Sequence, residues 1–199
     1  MGDNIFTNSV INNFLTDDEI KQLKDIRDLK QIKLSHSNTK KNGREVRPAE
    51  IVDLPQSIKN KLNLLAEQKY KTPLELYAFA FARYANEFGN PELMPHMDSV
   101  PADFTVDYQL DGNINWPIVI EGQEHHMENN SVLIFPGEHV LHWRPKIKFN
   151  NEQYLDLIWF QFRKMDHWSK TNEVNPDYKN FRQTLINKLS IWRKKYDES

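Results

Sequence analysis

The spacing of apolar residues changes twice along the chain, from helical spacing to strand alternation and back. Near the N-terminus, Ile20, Leu23 and Ile26 recur on one helical face. Thr16 and Glu19 stand three positions apart just before this stripe, which is the capping-box signature of a helix start. The pattern therefore predicts a first helix that begins just after Thr16.

A polar interval separates this stripe from a second one. Residues 35–47 (SHSNTKKNGREVR) are interpreted as a loop and as a candidate lid over a site. Pro55 then stands where the first turn of a helix favours proline. The apolar stripe that follows consists of Ile58, Leu62 and Leu65. These signals predict a helical N-terminal region over residues 1–75.

From residue 77 onward the pattern has the period of two that is typical of strands. Tyr77, Phe79 and Phe81 alternate with alanines. Turn signals separate four further predicted strands, at residues 104–110, 116–120, 131–135 and 153–162. Helices followed by many short strands indicate an α+β, mainly β protein, with an antiparallel sandwich or barrel over residues 77–162.

The last segment returns to helical spacing. Asn175 and Pro176 suit the cap and the first turn of a helix, which is predicted over residues 175–196. Its apolar stripe is interpreted as a surface that packs on the sheet rather than as a partner site. The stripe consists of Phe181, Leu185, Leu189 and Trp192. Length and pattern together predict one domain over residues 1–199.

Composition narrows the classes of function. The chain has 199 residues and no cysteine, which excludes disulfides, thiolate metal sites and cysteine nucleophiles. The 26 basic residues against 28 acidic ones give a net charge of −2, so nucleic acid is not an expected partner. No apolar run approaches the ~20 residues of a membrane helix, and the N-terminus shows no secretory pattern. A cytoplasmic protein without a membrane partner is the expectation.

The most informative segment is Pro-His-Met-Asp at residues 95–98. On an extended chain, side chains two positions apart point to the same side, so His96 and Asp98 can reach one metal ion. Further along, the predicted strand at 131–135 runs into a Pro-Gly turn, and the chain continues with histidines. Two histidines and one carboxylate form the facial triad of non-haem iron oxygenases, which leaves coordination positions open.

Several histidines compete for the third position. His139 and His142 stand three residues apart, so on a strand they face opposite sides. His125 and His126 lie beside glutamates near a predicted hairpin and are interpreted as residues of a solvated loop. Strand geometry alone therefore admits either His139 or His142.

In their order along the chain, these segments resemble the 2-oxoglutarate/iron(II) dioxygenase superfamily, in its prolyl-4-hydroxylase-like branch. The resemblance covers residues 9–30 and 77–162. It begins with Val-Ile-Asn-Asn-Phe-Leu before the first helix and continues with the His-x-Asp element. The next elements are Trp-Pro-Ile, then Leu-Ile-Phe-Pro-Gly with a histidine five residues after the glycine, and finally a closing strand. The ordered combination is more specific than any single element.

The resemblance implies a double-stranded β-helix, or jelly roll, with iron(II) between its two sheets. The family spacing after the Pro-Gly turn selects His142, so His96, Asp98 and His142 are the implied metal ligands and catalytic residues. The implied reaction couples oxidative decarboxylation of 2-oxoglutarate to succinate and CO2, using O2, with hydroxylation of a C–H bond. The implied partners are 2-oxoglutarate and a small-molecule or peptide substrate, with ascorbate as an accessory cofactor.

The chain departs from the family at the co-substrate anchor. Family members usually carry Arg or Lys on the closing strand just before an aromatic residue, where this chain has Gln153. A neutral amide cannot replace a bidentate cation. Arg144, two residues after His142 and on the same predicted face, is the expected substitute. Lys146 and Lys148 are further candidates.

A polar residue from the predicted strand 104–110 also helps to hold 2-oxoglutarate in the family. Tyr108 and Gln109 are both candidates, although alternation puts them on opposite faces. Gln109 shares its face with Thr105 and Asp107. The sequence leaves the choice between Tyr108 and Gln109 open.

Two alternative classes of function stand beside the oxygenase. A catalytically silent jelly-roll binding module would retain no iron, and Gln153 gives it support. A cupin-type metal protein is the other, because Pro-Gly followed by His139 partly matches the second cupin motif. The first cupin motif, however, needs clustered histidines and a glutamate on one strand, and none stand near His96. Fold alone does not decide among these classes.

Overall fold

The computed structural model describes residues 8–33, 39–41, 43–167 and 176–198. Within these ranges, eleven strands form two antiparallel sheets, and three α-helices pack outside them. The helices are α1 (Asp17–Lys33), α2 (Gln56–Tyr70) and α3 (Pro176–Glu198). No helix in the described part of the chain is long and apolar enough to cross a membrane.

The strands are numbered β1 to β11 in chain order. They span Val10–Asn12, Thr39–Lys41, Arg44–Ala49, Leu74–Ala85, Leu93–His96, Phe104–Gly112, Ile118–Ile120, Gln123–His125, Ser131–Phe135, His142–Arg144 and Tyr154–Lys164. The large sheet has the order β1-β9-β6-β11-β4-β3-β2, and the small sheet has the order β5-β10-β7-β8. Strands β4 to β11 are divided four and four between the sheets, which confirms the expected jelly roll.

The start of α1 has the predicted capping box. The Thr16 hydroxyl accepts a hydrogen bond from Glu19 N at 3.3 Å, and Thr16 N donates to Glu19 Oε2 at 2.9 Å. Lys61 Nζ of α2 donates to the same carboxylate at 2.6 Å. The cap therefore also ties α1 to α2.

The largest core lies between the large sheet and the helices α1 and α2. Phe104, Val106 and Tyr108 point into it from one face of β6. Ile58 and Leu62 of α2 are completely buried against them. This packing leaves the opposite face of β6 directed between the two sheets, where the site lies.

Helix α3 covers the outer face of the small sheet. Leu189 and Trp192 pack with Val119 and Trp143, and the ring centroids of Trp143 and Trp192 are 4.7 Å apart. The interpretation of this apolar stripe as a packing surface is confirmed for these residues, while Phe181 is 39% exposed. The predicted cap, residue 175, lies outside the described residues.

The interpretation of residues 35–47 as a loop is wrong for the described part of that segment. Strands β2 and β3 form an antiparallel hairpin at the edge of the large sheet, and residues 35–38 and 42 lie outside the described residues. The inward positions of β3 carry charges. Glu45 and Arg47 are 4% and 5% exposed and pair with each other. The buried positions of β3 are charged rather than apolar, so the hydrophobic pattern of the sequence did not predict this strand.

Asp156 of β11 binds two arginines from other elements. Its Oδ2 accepts hydrogen bonds from Arg27 of α1 at 2.8 Å and from Arg83 of β4 at 3.1 Å. Asp156→Asn is expected to lower the free energy of unfolding by about 2–3 kcal/mol, because two partly solvated guanidinium groups lose their charge partner. Urea denaturation measures this. The control Asp25→Asn, in an exposed pair on α1, should leave stability unchanged; equal losses would contradict the prediction.

Candidate active site

Three metal-ligating side chains converge between the two sheets. His96 ends β5, Asp98 follows it, and His142 begins β10 directly opposite His96 in the β5–β10 pair. One donor atom from each lies within 4.8 Å of the others. The His96 and His142 ring centroids are 4.2 Å apart, and His142 Nε2 is 3.6 Å from Asp98 Oδ1. The structure thus groups His142 with the His-x-Asp residues and leaves His139 outside this cluster.

Hydrogen bonds orient the donor atoms of these side chains. His96 Nδ1 lies 2.8 Å from Met94 O, and His142 Nδ1 lies 3.4 Å from Val140 O. Because a carbonyl only accepts, each ring carries its proton on Nδ1 and presents the lone pair of Nε2. The Thr105 hydroxyl donates to Asp98 Oδ2, which leaves Oδ1 towards His142.

The electrostatics of the cluster favour the metal-binding protonation states of His96 and Asp98. Burial, aided by repulsion from His142, lowers the pKa of His96 to about 3. Burial alone would raise the pKa of Asp98, but the His142 and His96 imidazoles lower it to about 2. Burial would lower the pKa of His142, and the Asp98 carboxylate raises it above its ordinary value. At neutral pH His96 is therefore neutral and Asp98 ionised, as ligation requires.

Gly137 provides the space in which the Asp98 carboxylate lies. Asp98 N donates to Gly137 O at 3.0 Å, so the two backbones run close together. A Cβ atom at Gly137 would overlap both Asp98 Oδ2 and Thr105 Oγ1. The backbone of Gly137 is not in the left-handed region, so the requirement for glycine here is one of space.

A cavity of about 330 Å³ opens onto the three ligands. This volume is at the small end of the range for small-molecule sites, about 300–1,000 Å³. Strands β3, β4, β6 and β11 supply its walls. Its polar lining beyond the ligands includes Arg44, Tyr84, Thr105, Asp107 and Gln161. Arg44 Nη1 donates to the Tyr84 hydroxyl at 3.2 Å.

Arg144 lies inside the protein and is not a lining residue of this cavity, although it interacts with Asp107, which lines it. It is completely buried, and its Nη1 donates to Trp116 O. Within the described residues, its Nε and Nη2 have no hydrogen-bond partner. Burial lowers the pKa of Arg144, and the Asp107 carboxylate opposes that shift. The guanidinium is therefore a buried cation with unused donors.

The other proposed anchors lie elsewhere. Gln153 Oε1 accepts a hydrogen bond from Asn150 N at 2.8 Å in the turn before β11. Lys146 Nζ donates to Asp197 O at 3.2 Å, and Lys148 is exposed. None of Gln153, Lys146 and Lys148 lines the cavity.

The two candidates on β6 also lie away from the cavity. Tyr108 points into the core beneath the helices, and its hydroxyl donates to Asn130 Oδ1 at 3.1 Å. Gln109 Nε2 donates to Asn129 Oδ1 at 3.2 Å, near the far end of the strand. Asp107, just before them on the strand, lines the cavity, and burial raises its pKa to about 6. Its alternation with Thr105, which lines the same cavity, was the signal that could have identified it.

The neighbouring histidines differ in exposure. His125 on β8 is 7% exposed, so its interpretation as a solvated loop residue is wrong. His125 is the buried last residue of the short strand β8. His126 is exposed, and its Nδ1 lies 2.9 Å from Asn115 Oδ1.

Helix α3 reaches the main chain of both ligand-bearing segments. Arg182 Nη1 donates to Glu138 O at 2.8 Å and to Asp98 O at 3.4 Å. Arg193 Nε donates to Pro95 O at 3.1 Å. The helix therefore braces the backbone on either side of the metal-ligating residues.

No family model and no curated protein matches the sequence. Solved structures do match the fold. A prolyl-4-hydroxylase from Pseudomonas putida aligns over 81% of this chain and 96% of its own, with a TM-score of 0.58 and 17% identity. The chain has the fold of the 2-oxoglutarate/iron(II) oxygenases.

Two further structures with this oxygenase fold contain bound ligands. A prolyl hydroxylase from Trichoplax adhaerens, in complex with a hypoxia inducible factor peptide fragment, covers 80% of this chain and 85% of its own (TM-score 0.57, 15% identity). HygX from Streptomyces hygroscopicus, with nickel and 2-oxoglutarate bound, covers 80% and 83% (TM-score 0.56, 8% identity). At these identities the likeness concerns the oxygenase fold, and function must be argued from the site.

Proposed function

We propose that the protein is an iron(II)- and 2-oxoglutarate-dependent dioxygenase that hydroxylates a C–H bond in a peptidyl residue or a small molecule. The observation that carries the proposal is the convergence of His96, Asp98 and His142 at a cavity between the sheets of an oxygenase fold. When bound, iron(II), 2-oxoglutarate and O2 supply the oxidant, and 2-oxoglutarate leaves as succinate and CO2.

The donor set fits iron(II). Two imidazoles and one carboxylate are the ligands of non-haem oxygenases, and they leave the positions that a chelating co-substrate and O2 require. The Met94 and Val140 carbonyls keep the Nε2 lone pairs of His96 and His142 available. The Thr105 hydroxyl holds the third ligand in place. The chain therefore arranges the site before any ion binds.

Arg144 is the residue that we assign to the distal carboxylate of 2-oxoglutarate. Most buried polar atoms in proteins are hydrogen-bonded, so a fully buried guanidinium with two unpaired nitrogens is suited to a ligand. Arg144, Gln153 and Lys146 are all absent from the cavity lining. Arg144, however, interacts with Asp107, which does line the cavity, and this favours Arg144. Asp107 contributes the negative charge that balances Arg144 when no dicarboxylate is bound.

The substrate would occupy the outer part of the cavity. There Arg44 and Val46 of β3 and Trp159 and Gln161 of β11 line the cavity from the large sheet. This mixture of a cation, an amide and an aromatic ring suits a polar small molecule or an exposed peptide side chain. The proposal further includes a single catalytic domain over residues 1–199, action in the cytoplasm, and ascorbate as an accessory cofactor.

An anaerobic titration tests the proposal. Purified protein with iron(II) should develop the weak visible metal-to-ligand band when 2-oxoglutarate is added. Arg144→Gln should weaken 2-oxoglutarate binding about 10- to 100-fold, because hydrogen bonds to a charged partner contribute about 1.5–3 kcal/mol. The control Gln153→Ala should bind 2-oxoglutarate as the parent does.

The outcomes separate the classes of function. No band at millimolar 2-oxoglutarate would contradict the oxygenase and favour the silent binding module. If Arg144→Gln bound 2-oxoglutarate as tightly as the parent, the oxygenase function would stand but the co-substrate anchor would be another residue. Arg44, which lines the cavity, would then be the next candidate.

A further inference from the structure

A second cluster of metal-ligating side chains lies close to the first and outside the cavity lining. Asp103 precedes β6, Glu138 and His139 follow the Pro-Gly turn, and His167 follows β11. One donor atom each from Asp103, Glu138 and His139 lies within 4.8 Å of the others. His167 lies outside this mutual group and approaches both carboxylates from a third segment of the chain.

The two imidazoles point Nε2 at both carboxylates. His139 Nε2 is 3.4 Å from Glu138 Oε1 and 3.7 Å from Asp103 Oδ1. His167 Nε2 is 3.5 Å from the same Glu138 oxygen and 3.8 Å from Asp103 Oδ2. Ligands on a tetrahedral ion with bonds of about 2.1 Å lie about 3.4 Å apart. The two shorter separations, from each imidazole to Glu138 Oε1, are close to that spacing.

Burial makes the cluster costly without a cation. Asp103 and Glu138 are 2% and 0% exposed. Neither oxygen of Glu138 accepts a well-aligned hydrogen bond from a described residue. Buried carboxylates need a charge partner.

Among the described residues, the neighbouring cations Lys164 and Arg182 do not occupy the centre of the cluster. Lys164 Nζ is 3.8 Å from Asp103 Oδ1 and its side chain is 43% exposed. Arg182 donates to the main-chain oxygen of Glu138 rather than to its carboxylate.

We propose that Asp103, Glu138, His139 and His167 bind a structural zinc ion. Two carboxylates balance the charge of a divalent cation, and together with two imidazoles they supply four donors of the N/O kinds that zinc accepts in tetrahedral geometry. Four protein ligands leave no position for a substrate. This site differs from the facial triad in both coordination number and role, and it does not depend on the proposed oxygenase function.

The zinc site would support the triad through the main chain. Glu138 N donates to Ala102 O at 2.9 Å, and Asp98 N donates to Gly137 O at 3.0 Å. The ion would thereby fix the segment after Asp98 against the turn that leads to His142. The end of β11 would be tied to the same point through His167.

Zinc counting tests this inference on the full chain. Apo protein is dialysed against excess Zn²⁺, freed of loosely bound metal, and analysed by mass spectrometry for zinc. We expect two ions in the parent, one in His96→Ala/Asp98→Ala, one in His139→Ala/His167→Ala, and none in the combined variant. His126→Ala, at an exposed histidine, is the matched control and should retain two. With Co²⁺, the His96→Ala/Asp98→Ala variant should show the intense visible absorption of four-coordinate cobalt.

The counts distinguish the two sites. Loss of all zinc from His96→Ala/Asp98→Ala, or full retention by His139→Ala/His167→Ala, would overturn the second site. One ion in the parent that persists in His96→Ala/Asp98→Ala would uphold the zinc site and count against the oxygenase triad. Should the double histidine variant not fold, His139→Ala serves alone, because that side chain is 29% exposed. Its zinc affinity is expected to fall at least about 10-fold, and unchanged affinity would overturn the proposal.

Discussion

Replacing His142 with alanine is expected to weaken iron(II) binding by more than about 100-fold and to abolish succinate formation. Even groups that only support metal ligands change affinity about 10- to 100-fold when they are removed. His142 faces Asp98 Oδ1 at 3.6 Å and lies opposite His96, so no described neighbour can take over its position. Anaerobic iron(II) titration and 2-oxoglutarate-dependent succinate release measure the two effects.

The control for this substitution is another histidine. His126 is exposed and away from the cavity, so His126→Ala should match the parent in both measurements. If His142→Ala retained iron while His139→Ala lost it, the third ligand would be His139 and the facial triad assigned to the cavity would be wrong.

Gly137→Ala is expected to have an effect of similar size although residue 137 ligates nothing. The added methyl group would occupy the space of Asp98 Oδ2 and of the Thr105 hydroxyl that orients it. The carboxylate must then turn away from His96 and His142. Iron(II) affinity should fall by about 100-fold or more, because a ligand is displaced rather than merely loosened.

The apo protein provides the control for Gly137→Ala. The carboxylate of Asp98 is the end of a movable side chain, and position 137 needs no left-handed backbone. The melting temperature of the metal-free variant should therefore stay close to that of the parent. Parent-like iron affinity would contradict this account of the turn, and a large loss of apo stability would show that the methyl group displaces backbone instead.

Much of the barrel could be predicted from alternation and turn signals. Strand β9 spans the predicted residues 131–135, and the capping box begins α1 where the sequence indicates it. Such segments are predictable because their apolar residues directly mark the buried face. The His-x-Asp segment is predictable in the same way, because side chains two positions apart on an extended chain point to the same side.

Other features depend on information that alternation lacks. Strand β3 buries Glu45 and Arg47 as an ion pair, so its sequence has the low hydropathy that is typical of a loop. Alternation on β6 separates Tyr108 from Asp107, but it cannot say which face meets the cavity. The cluster of Asp103, Glu138 and His167 is invisible in sequence because only tertiary packing brings these positions together.

The hydrogen bonds from α3 have a thermodynamic consequence for the whole site. Arg182 and Arg193 hold carbonyl groups at residues 95, 98 and 138, on both sides of the ligand set. Detachment of α3 and distortion of the metal-ligating residues are therefore energetically coupled. By linkage, an ion that binds the docked state more tightly makes detachment of the helix less favourable, and docking raises the affinity for the ion by the same factor. Binding of the metal ion should therefore slow amide hydrogen exchange in α3, although this helix contributes no ligand to the ion.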